Sequence, residues 1–199
     1  SSSATVYELK DNLILNESSR LGPINPYGST KHAIEILLKD LFKSTIDYWK
    51  FACLRYFNPI GAHSSGLLGE DPKDTPNNIF PLIANTALGI QKNLKIYGND
   101  WPTRDRTPIR DYIHVMDLAE CHIEVLQFLM NSDPEFLNLN IGTGIGTTVL
   151  ELVRTFEKIN NVNIPFVFDK RRLGDASFVV ADNSLLTSKI NFKHFRTLE

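Results

Sequence analysis

The chain has 199 residues, 42% of them apolar and 22% charged, a balance that suits one large globular domain or parts of two. With 21 Lys and Arg against 23 Asp and Glu the formal net charge is -2, so no basic field exists for a polyphosphate polymer and nucleic acid is not an expected partner. No apolar run is long enough to span a bilayer, and Ser1 to Tyr7 lacks the basic-then-apolar order of a secretory signal, so no membrane partner is expected either.

Ser1 to Tyr7 is small and β-prone, does not begin with Met, and leads into a polar segment with turn residues through Gly22 and Pro23. Asn25 is a good N-cap and Pro26 suits the first helical position, so a helix should open at Pro26. Ile34, Leu37, Leu38 and Leu41 stand at one-face spacing and carry that helix to about Lys43. Tyr27 and Lys31 fall one turn apart in its first turns, at the positive end of the helix dipole. Dipole and ammonium both favour a phenolate, and a tyrosine so placed can act as a base. The same spacing also fits an ordinary solvated helix face. Phe51 to Phe57 reads as a strand buried on both faces, and strand, helix, strand in this order is the βαβ pattern of a parallel sheet.

From Asn58 to Asn78 the residues are Gly, Pro, Asp, Asn and Ser in excess, as in a long functional loop. A helix is expected from Asn78 to Gly89, a strand over Leu94 to Tyr97, an extended piece from Arg110 to Val115 and a helix from about Asp117 to Met130. Phe136 to Ile141 is a strand; Thr148 with Glu151 is a capping box that opens a helix to about Asn160; Phe166 to Phe168 is the last clear strand.

Gly142-Thr143-Gly144-Ile145-Gly146 sits between a strand and a helix, but its third glycine is one position early for a dinucleotide fingerprint, so it reads as a glycine-rich turn. The histidines at 32, 63, 114, 122 and 194 form no HExxH pair and no cluster with Cys53 or Cys121, so no metal is expected. The two cysteines stand far apart in apolar contexts, as reduced core thiols of a cytoplasmic protein do. Arg171-Arg172-Leu173-Gly174-Asp175 fits either a solvated loop or an arginine clamp for phosphate, with Asp175 accepting from hydroxyls. Asn78 fits either a plain cap or a helix start facing a diphosphate.

Read in order, these pieces form a recognisable set. Ser1-Ser2-Ser3-Ala4-Thr5-Val6-Tyr7, Asn25-Pro26-Tyr27-Gly28 with Lys31, Leu54-Arg55-Tyr56-Phe57-Asn58-Pro59 with Gly61-Ala62-His63, Gly69-Glu70-Asp71-Pro72, Pro76-Asn77-Asn78, Tyr97-Gly98-Asn99-Asp100, Arg110-Asp111-Tyr112-Ile113-His114-Val115-Met116-Asp117-Leu118-Ala119 and Arg171-Arg172 with Gly174-Asp175 follow one another. Over essentially its whole length the chain resembles the UDP-glucose 4-epimerase family, within the extended short-chain dehydrogenases/reductases.

The resemblance implies an α/β fold: a partial Rossmann-like parallel sheet with helices in residues 1–62, the remnant of an NAD-binding domain, and a smaller α/β domain for the UDP-sugar in 63–199, with about 110–130 returning to the first. It implies NAD as cofactor, a UDP-sugar as substrate, interconversion of UDP-glucose and UDP-galactose in galactose metabolism, and a homodimer made beside the Tyr27 helix. Ser3, Tyr27 and Lys31 take the catalytic positions. Ser1, Ser2, Tyr27, Lys31, Tyr56 and Pro59 fall in the cofactor site. Ser3, Tyr27, Asn58, Asn78, Ile79, Lys95, Tyr97, Arg110, Arg172 and Asp175 fall in the substrate site.

Val179 takes the position where family members carry a bulky Tyr or a small Cys, which implies room for a 2-acetamido group and activity on UDP-N-acetylhexosamines. Glu8 and Leu173 depart from the usual Gly and Glu beside the proposed chemistry. The family's glycine-rich first βαβ unit does not occur in the chain, so the resemblance implies a fragment that neither retains NAD nor epimerises alone. The alternatives are a non-catalytic truncated relative or one part of a split enzyme; a sugar-nucleotide dehydratase is disfavoured because Val6-Tyr7 stands where an acidic pair would be needed.

Overall fold

The computed structural model describes residues 1–9, 14–45, 47–74, 76–190, 192 and 195–199; His194 therefore lies outside the described residues. In chain order the elements are β1 (Ser2–Ser3), a 3-10 turn (Ala4–Val6), β2 (Ile14–Leu15), α1 (Pro26–Ser44), β3 (Phe51–Tyr56), β4 (Asn58–Ile60), α2 (Ile79–Ala87), β5 (Leu94–Tyr97) and β6 (Ile109–His114). They continue with α3 (Val115–Asn131), β7 (Phe136–Ile141), β8 (Gly146–Thr148), α4 (Val149–Asn160), β9 (Phe166–Asp169), β10 (Phe178–Ala181) and α5 (Ser184–Lys189).

Three sheets organise the chain. β1, β3 and β7 form a parallel sheet in which Ser3 lies opposite Tyr56 and Phe51 opposite Phe136. β2, β10, β6 and β4 are parallel neighbours in that order, with β8 antiparallel on β6, and β5 pairs with β9. β4 lies at the end of its sheet, which is where a strand can carry Pro59 without losing a ladder bond. The expected loop from Asn58 thus begins as a strand, and β2, β8, β10 and α5, all short, are additions to the expected elements. Ser1 to Tyr7 is only briefly extended: Ser3 caps the 3-10 turn by accepting from the Thr5 N–H at 3.2 Å.

Local signals account for several boundaries. Asn25 Oδ1 accepts from the Gly28 N–H at 2.8 Å with Pro26 in the first helical turn, as expected. At α4 both halves of the capping box form, Glu151 N–H to Thr148 Oγ1 at 3.0 Å and Thr148 N–H to Glu151 Oε2 at 2.9 Å. Asn78 holds the N-cap position of α2 but makes no side-chain capping bond.

The expected apolar face of α1 is not its core face. Ile34, Leu37 and Leu41 are exposed, Leu37 by 67%, whereas the buried residues of α1 are Gly28 and Glu35, seven apart on the opposite side. The inversion follows from what Glu35 meets. Arg55 on β3, 1% exposed, donates to Glu35 from Nε at 2.9 Å and from its terminal nitrogen at 2.6 Å, and Ser2 Oγ donates to the same carboxylate at 2.6 Å. Arg55 also donates to Tyr7 Oη at 2.9 Å and to the Glu17 carbonyl at 3.3 Å, and Tyr7 donates to Asn140 Oδ1 at 2.6 Å.

Burial works against the Arg55 charge, but the Glu35 bonds and Tyr7 outweigh it and hold its pKa up. Burial pushes the Tyr7 phenol up to about 12, with Arg55 opposing.

The glycine-rich turn after β7 is closed by the protein's own anion. Asp111 accepts from the Thr143 N–H and hydroxyl at 2.8 and 2.7 Å, from Gly144 N–H at 2.9 Å and from Ala181 N–H at 3.1 Å. A Cβ at Gly142 would lie 2.6 Å from the Asp111 carboxylate, so this approach needs glycine. The turn reading holds, and its donors are already used.

Among the described residues no group of His, Cys, Asp or Glu could hold a metal ion, and no helix is long and apolar enough to cross a membrane. Cys53 and Cys121 are free and buried, and desolvation pushes their thiols up to about 11 and about 12.

Two predictions follow from the core. Glu35→Ala strands the Arg55 charge and should cost about 3–5 kcal/mol in urea unfolding, whereas Leu37→Ala, measured at monomeric concentration, should stay within about 0.5 kcal/mol; the reverse order would contradict the inverted helix. At pH 8 neither Cys53 nor Cys121 should react with an aromatic disulfide reagent in the native chain, and both should react once it is unfolded.

Candidate functional site

The C-terminal ends of β1 and β3 bring one set of residues together. Ser3 ends β1, is buried, and its Oγ accepts from the Thr5 hydroxyl at 3.0 Å. α1 begins against the same 3-10 turn, because a Cβ at Gly28 would run into the Thr5 carbonyl oxygen and sit 3.0 Å from Pro23 Cβ. Only glycine lets the first turn of α1, and with it Tyr27, settle this close to the segment that follows Ser3.

Tyr27 is 55% exposed, and Lys31 Nζ lies 5.6 Å from its ring centroid. Lys31 also donates to Ser1, at 3.4 Å to the carbonyl and 3.3 Å to Oγ. Tyr56 lies opposite Ser3 across the strand pair, and its hydroxyl bonds His122 Nε2 on α3. Burial raises the Tyr56 pKa, with the Ser1 side chain opposing, and burial lowers that of His122. Pro59 follows on β4, opposite Ile113. Ser2 differs from its neighbours: its hydroxyl is committed to Glu35 in the core, so only its backbone can face a ligand.

A second set lines a cavity of about 240 Å³. Its walls include Asn58, Asn78, Ile79, Lys95, Tyr97, Arg110, Arg172 and Asp175, the eight residues singled out from the sequence as anchors of the substrate. They arrive from β4, the start of α2, β5, β6 and the loop before β10.

Arg172 lies over the Tyr97 ring with its guanidinium carbon 3.8 Å from the centroid, and Arg171 instead pairs with Asp100 at 2.7 Å. Within the Arg171–Asp175 run, only Arg172 and Asp175 line the cavity. Arg110 donates to the Ile109 and Ala176 carbonyls at 2.8 and 2.9 Å and lies 3.7 Å from Asp175. Burial presses the Arg110 pKa down while Asp175 opposes it. Lys95 pairs with Asp169 at 3.1 Å, which raises its pKa.

Tyr112, Val149, Leu82, Ile96 and Pro108 also line the cavity and were not singled out. Tyr112 carried a readable signal, since it stands two residues after Arg110 on one strand and so shares its face. Val149 is the first residue of the capping-box helix, another legible position. Val179 does not line the cavity. It is buried opposite Arg110 in a cluster with Ala4, Val6 and Phe57, between the cavity wall and the segment after Ser3.

Comparison with known proteins follows the same lines. Residues 1–142 match the NAD dependent epimerase/dehydratase family. The chain is 45% identical over 199 residues to UDP-glucose 4-epimerase of Bacillus subtilis, covering all of this chain and 58% of that protein. A crystal structure of UDP-glucose 4-epimerase from Stenotrophomonas maltophila, with bound NAD and formylated UDP-arabinopyranose, superposes with a TM-score of 0.94 at 44% identity over 99% of this chain and 58% of that one. The enzyme from Bifidobacterium longum, in complex with NAD+ and UDP, superposes with a TM-score of 0.92 at 41% identity over 100% and 58%.

The chain therefore spans about 58% of the length of these relatives. Its mixed α/β architecture is the partial Rossmann-like fold of those structures. By the family match over residues 1–142, the chain belongs to the NAD dependent epimerase/dehydratase family.

Proposed function

We propose that the chain supplies the UDP-sugar site and the catalytic Ser3, Tyr27 and Lys31 of a UDP-glucose 4-epimerase that interconverts UDP-glucose and UDP-galactose. One observation carries this reading: eight residues from five separate segments, none adjacent to another segment's in sequence, converge on a single cavity with two arginines and an unfilled helix start.

Asn78 leaves the N–H groups of Ile79 and Phe80 at the start of α2 without a side-chain cap, so they remain available to a diphosphate, which Arg110 and Arg172 also neutralise. Asp175 accepts from sugar or ribose hydroxyls. Tyr97 presents a flat ring beside Arg172 for the nucleoside.

The residues at the strand ends fit NAD. The backbone of Ser1 and Ser2 with Tyr56 and Pro59 borders the C-terminal edge of parallel strands, where open α/β sheets take their ligands, and Lys31 reaches over that edge. When bound, NAD accepts hydride from C4 of the sugar and returns it. Tyr27 takes the proton of the 4-hydroxyl, Ser3 Oγ hydrogen-bonds that hydroxyl, and Lys31 holds the cofactor ribose beside the Tyr27 ring. Anchoring rests on the nucleotide, so the sugar itself stays free to turn over and present its other face.

Val179 stands behind the cavity wall, on the strand beside Arg110, and on the resemblance a side chain smaller than Tyr at this position extends the substrates to UDP-N-acetylhexosamines. The exposed stripe of Ile34, Leu37 and Leu41 on α1 suits a second copy of the chain, giving a homodimer.

Calorimetric titration with UDP tests the carrying observation, and Arg172→Ala should weaken binding by about tenfold or more, the loss of a charge-assisted bond; no heat from the unsubstituted chain would sink the reading. In active enzyme carrying this sequence, Tyr27→Phe should lower kcat by at least about 10²-fold with UDP affinity unchanged. Val179→Tyr should remove turnover of UDP-N-acetylglucosamine and spare UDP-glucose, and equal loss on both would count against the extension.

A further inference from the structure

We infer that Glu70 is a positioning residue for the diphosphate: its carboxylate fixes which end of the Asn78 amide faces the cavity. The inference rests on the UDP-sugar reading above and adds a residue outside the cavity wall.

Asn78 occupies an N-cap position yet does not cap; its Nδ2 donates to Glu70 Oε1 at 2.5 Å. It lines two adjoining cavities, the 240 Å³ one and a more apolar one of about 500 Å³ bordered by Glu70, Pro59, Leu68 and Met116. An asparagine amide has two electrostatically opposite ends, an NH2 with two donors and a carbonyl with none. Left alone at a helix start, Asn78 would turn Oδ1 toward the Phe80 N–H, because Pro81 at the third helical position has no N–H to offer. That orientation would fill a donor a phosphate needs and aim a carbonyl oxygen at it.

An ionised carboxylate accepts and cannot donate, so Glu70 selects the NH2 end. It uses one of the two Nδ2 hydrogens and leaves the other for a phosphate oxygen. Glu70 and Asn78 are both exposed, so packing does not force the pair. A negative charge this near an anion site opposes binding, and the bond therefore makes sense only if orienting the amide outweighs that repulsion.

The test is NMR titration of the chain with UDP and, separately, with uridine. Glu70→Ala should weaken UDP about 3- to 10-fold, the range of one net hydrogen bond, and leave uridine within about twofold, because only the phosphates meet Asn78. Glu70→Gln can donate as well as accept and so no longer selects the NH2 end of Asn78; it should weaken UDP in the same direction as Glu70→Ala and leave uridine within about twofold. In an Asn78→Ala background, Glu70→Ala should add nothing.

UDP affinity untouched by Glu70→Ala, or a loss shared equally by uridine, overturns the inference and leaves the UDP reading standing. Absence of UDP binding by the unsubstituted chain overturns both. If Glu70→Ala does not fold, the glutamine variant decides, since UDP binding there at the level of the unsubstituted chain contradicts the proposed role.

Discussion

The buried pair of Glu35 and Arg55 sets the geometry on which the strand-end residues depend. The Arg55 guanidinium on β3 bonds Glu35 on α1, Tyr7 and the Glu17 carbonyl, and through Glu35, Tyr7 and Glu17 the network reaches Ser2 on β1 and Asn140 on β7. Removing two charges from water costs several kcal/mol per ion, and close-fitting bonds offset that cost without a large surplus. The pair is thus better understood as a device for orientation than as a source of stability. Glu35 must face Arg55, and this fixes the rotation of α1 about its axis. Gly28, one full heptad earlier, then meets the Thr5 carbonyl, and the position of Tyr27 follows.

That constraint explains why the pattern of α1 misleads. Burying Leu37 and its neighbours would each gain about 1.5–3 kcal/mol on area alone, so the apolar stripe predicts its own burial. Turning it inward would expose or strand the Arg55 charge, and the cost of an unpaired buried ion exceeds the gain from any one leucine. Polar residues therefore face the sheet and apolar ones face outward. The inversion leaves Ile34, Leu37 and Leu41 on the outer face of the helix.

Other elements were legible because their signals are local. The capping box of Thr148 and Glu151, the N-cap of Asn25 and the strand of β7 depend on residues within a few positions, and each took the expected place. β2, β8 and β10 have two to four residues and owe their pairing to neighbours more than a hundred positions away for β2 and tens of positions away for β8, so periodicity could not reveal them. Pro59 argued for a loop, and only the edge position of β4 removes the objection. The cavity was legible through family resemblance and not through spacing, since its walls come from segments scattered between Asn58 and Asp175. Tyr112 could still have been added from strand alternation after Arg110. Glu70 could not, because its partner is a side chain eight residues away on an irregular loop.

The two places where the chain offers several backbone N–H groups to an anion differ in one respect. In the turn after β7, the Asp111 carboxylate already accepts from Thr143 and Gly144, and Gly142 exists to let it approach. A phosphate there would have to displace a buried group bonded on four sides. Burial raises the Asp111 pKa while those bonds draw it back, so the site answers to an internal anion and not to a ligand.

At α2, Asn78 makes no side-chain capping bond and instead donates to Glu70. Arg110 and Arg172 stand on the same cavity, and neither points its charge at the turn after β7. A glycine-rich turn resembling a nucleotide-binding motif is thereby closed, and an inconspicuous Asn-Asn helix start is left open. Which backbone N–H groups remain unsatisfied is a property of side-chain pairing that no short motif encodes, and the proposed diphosphate site rests on that difference.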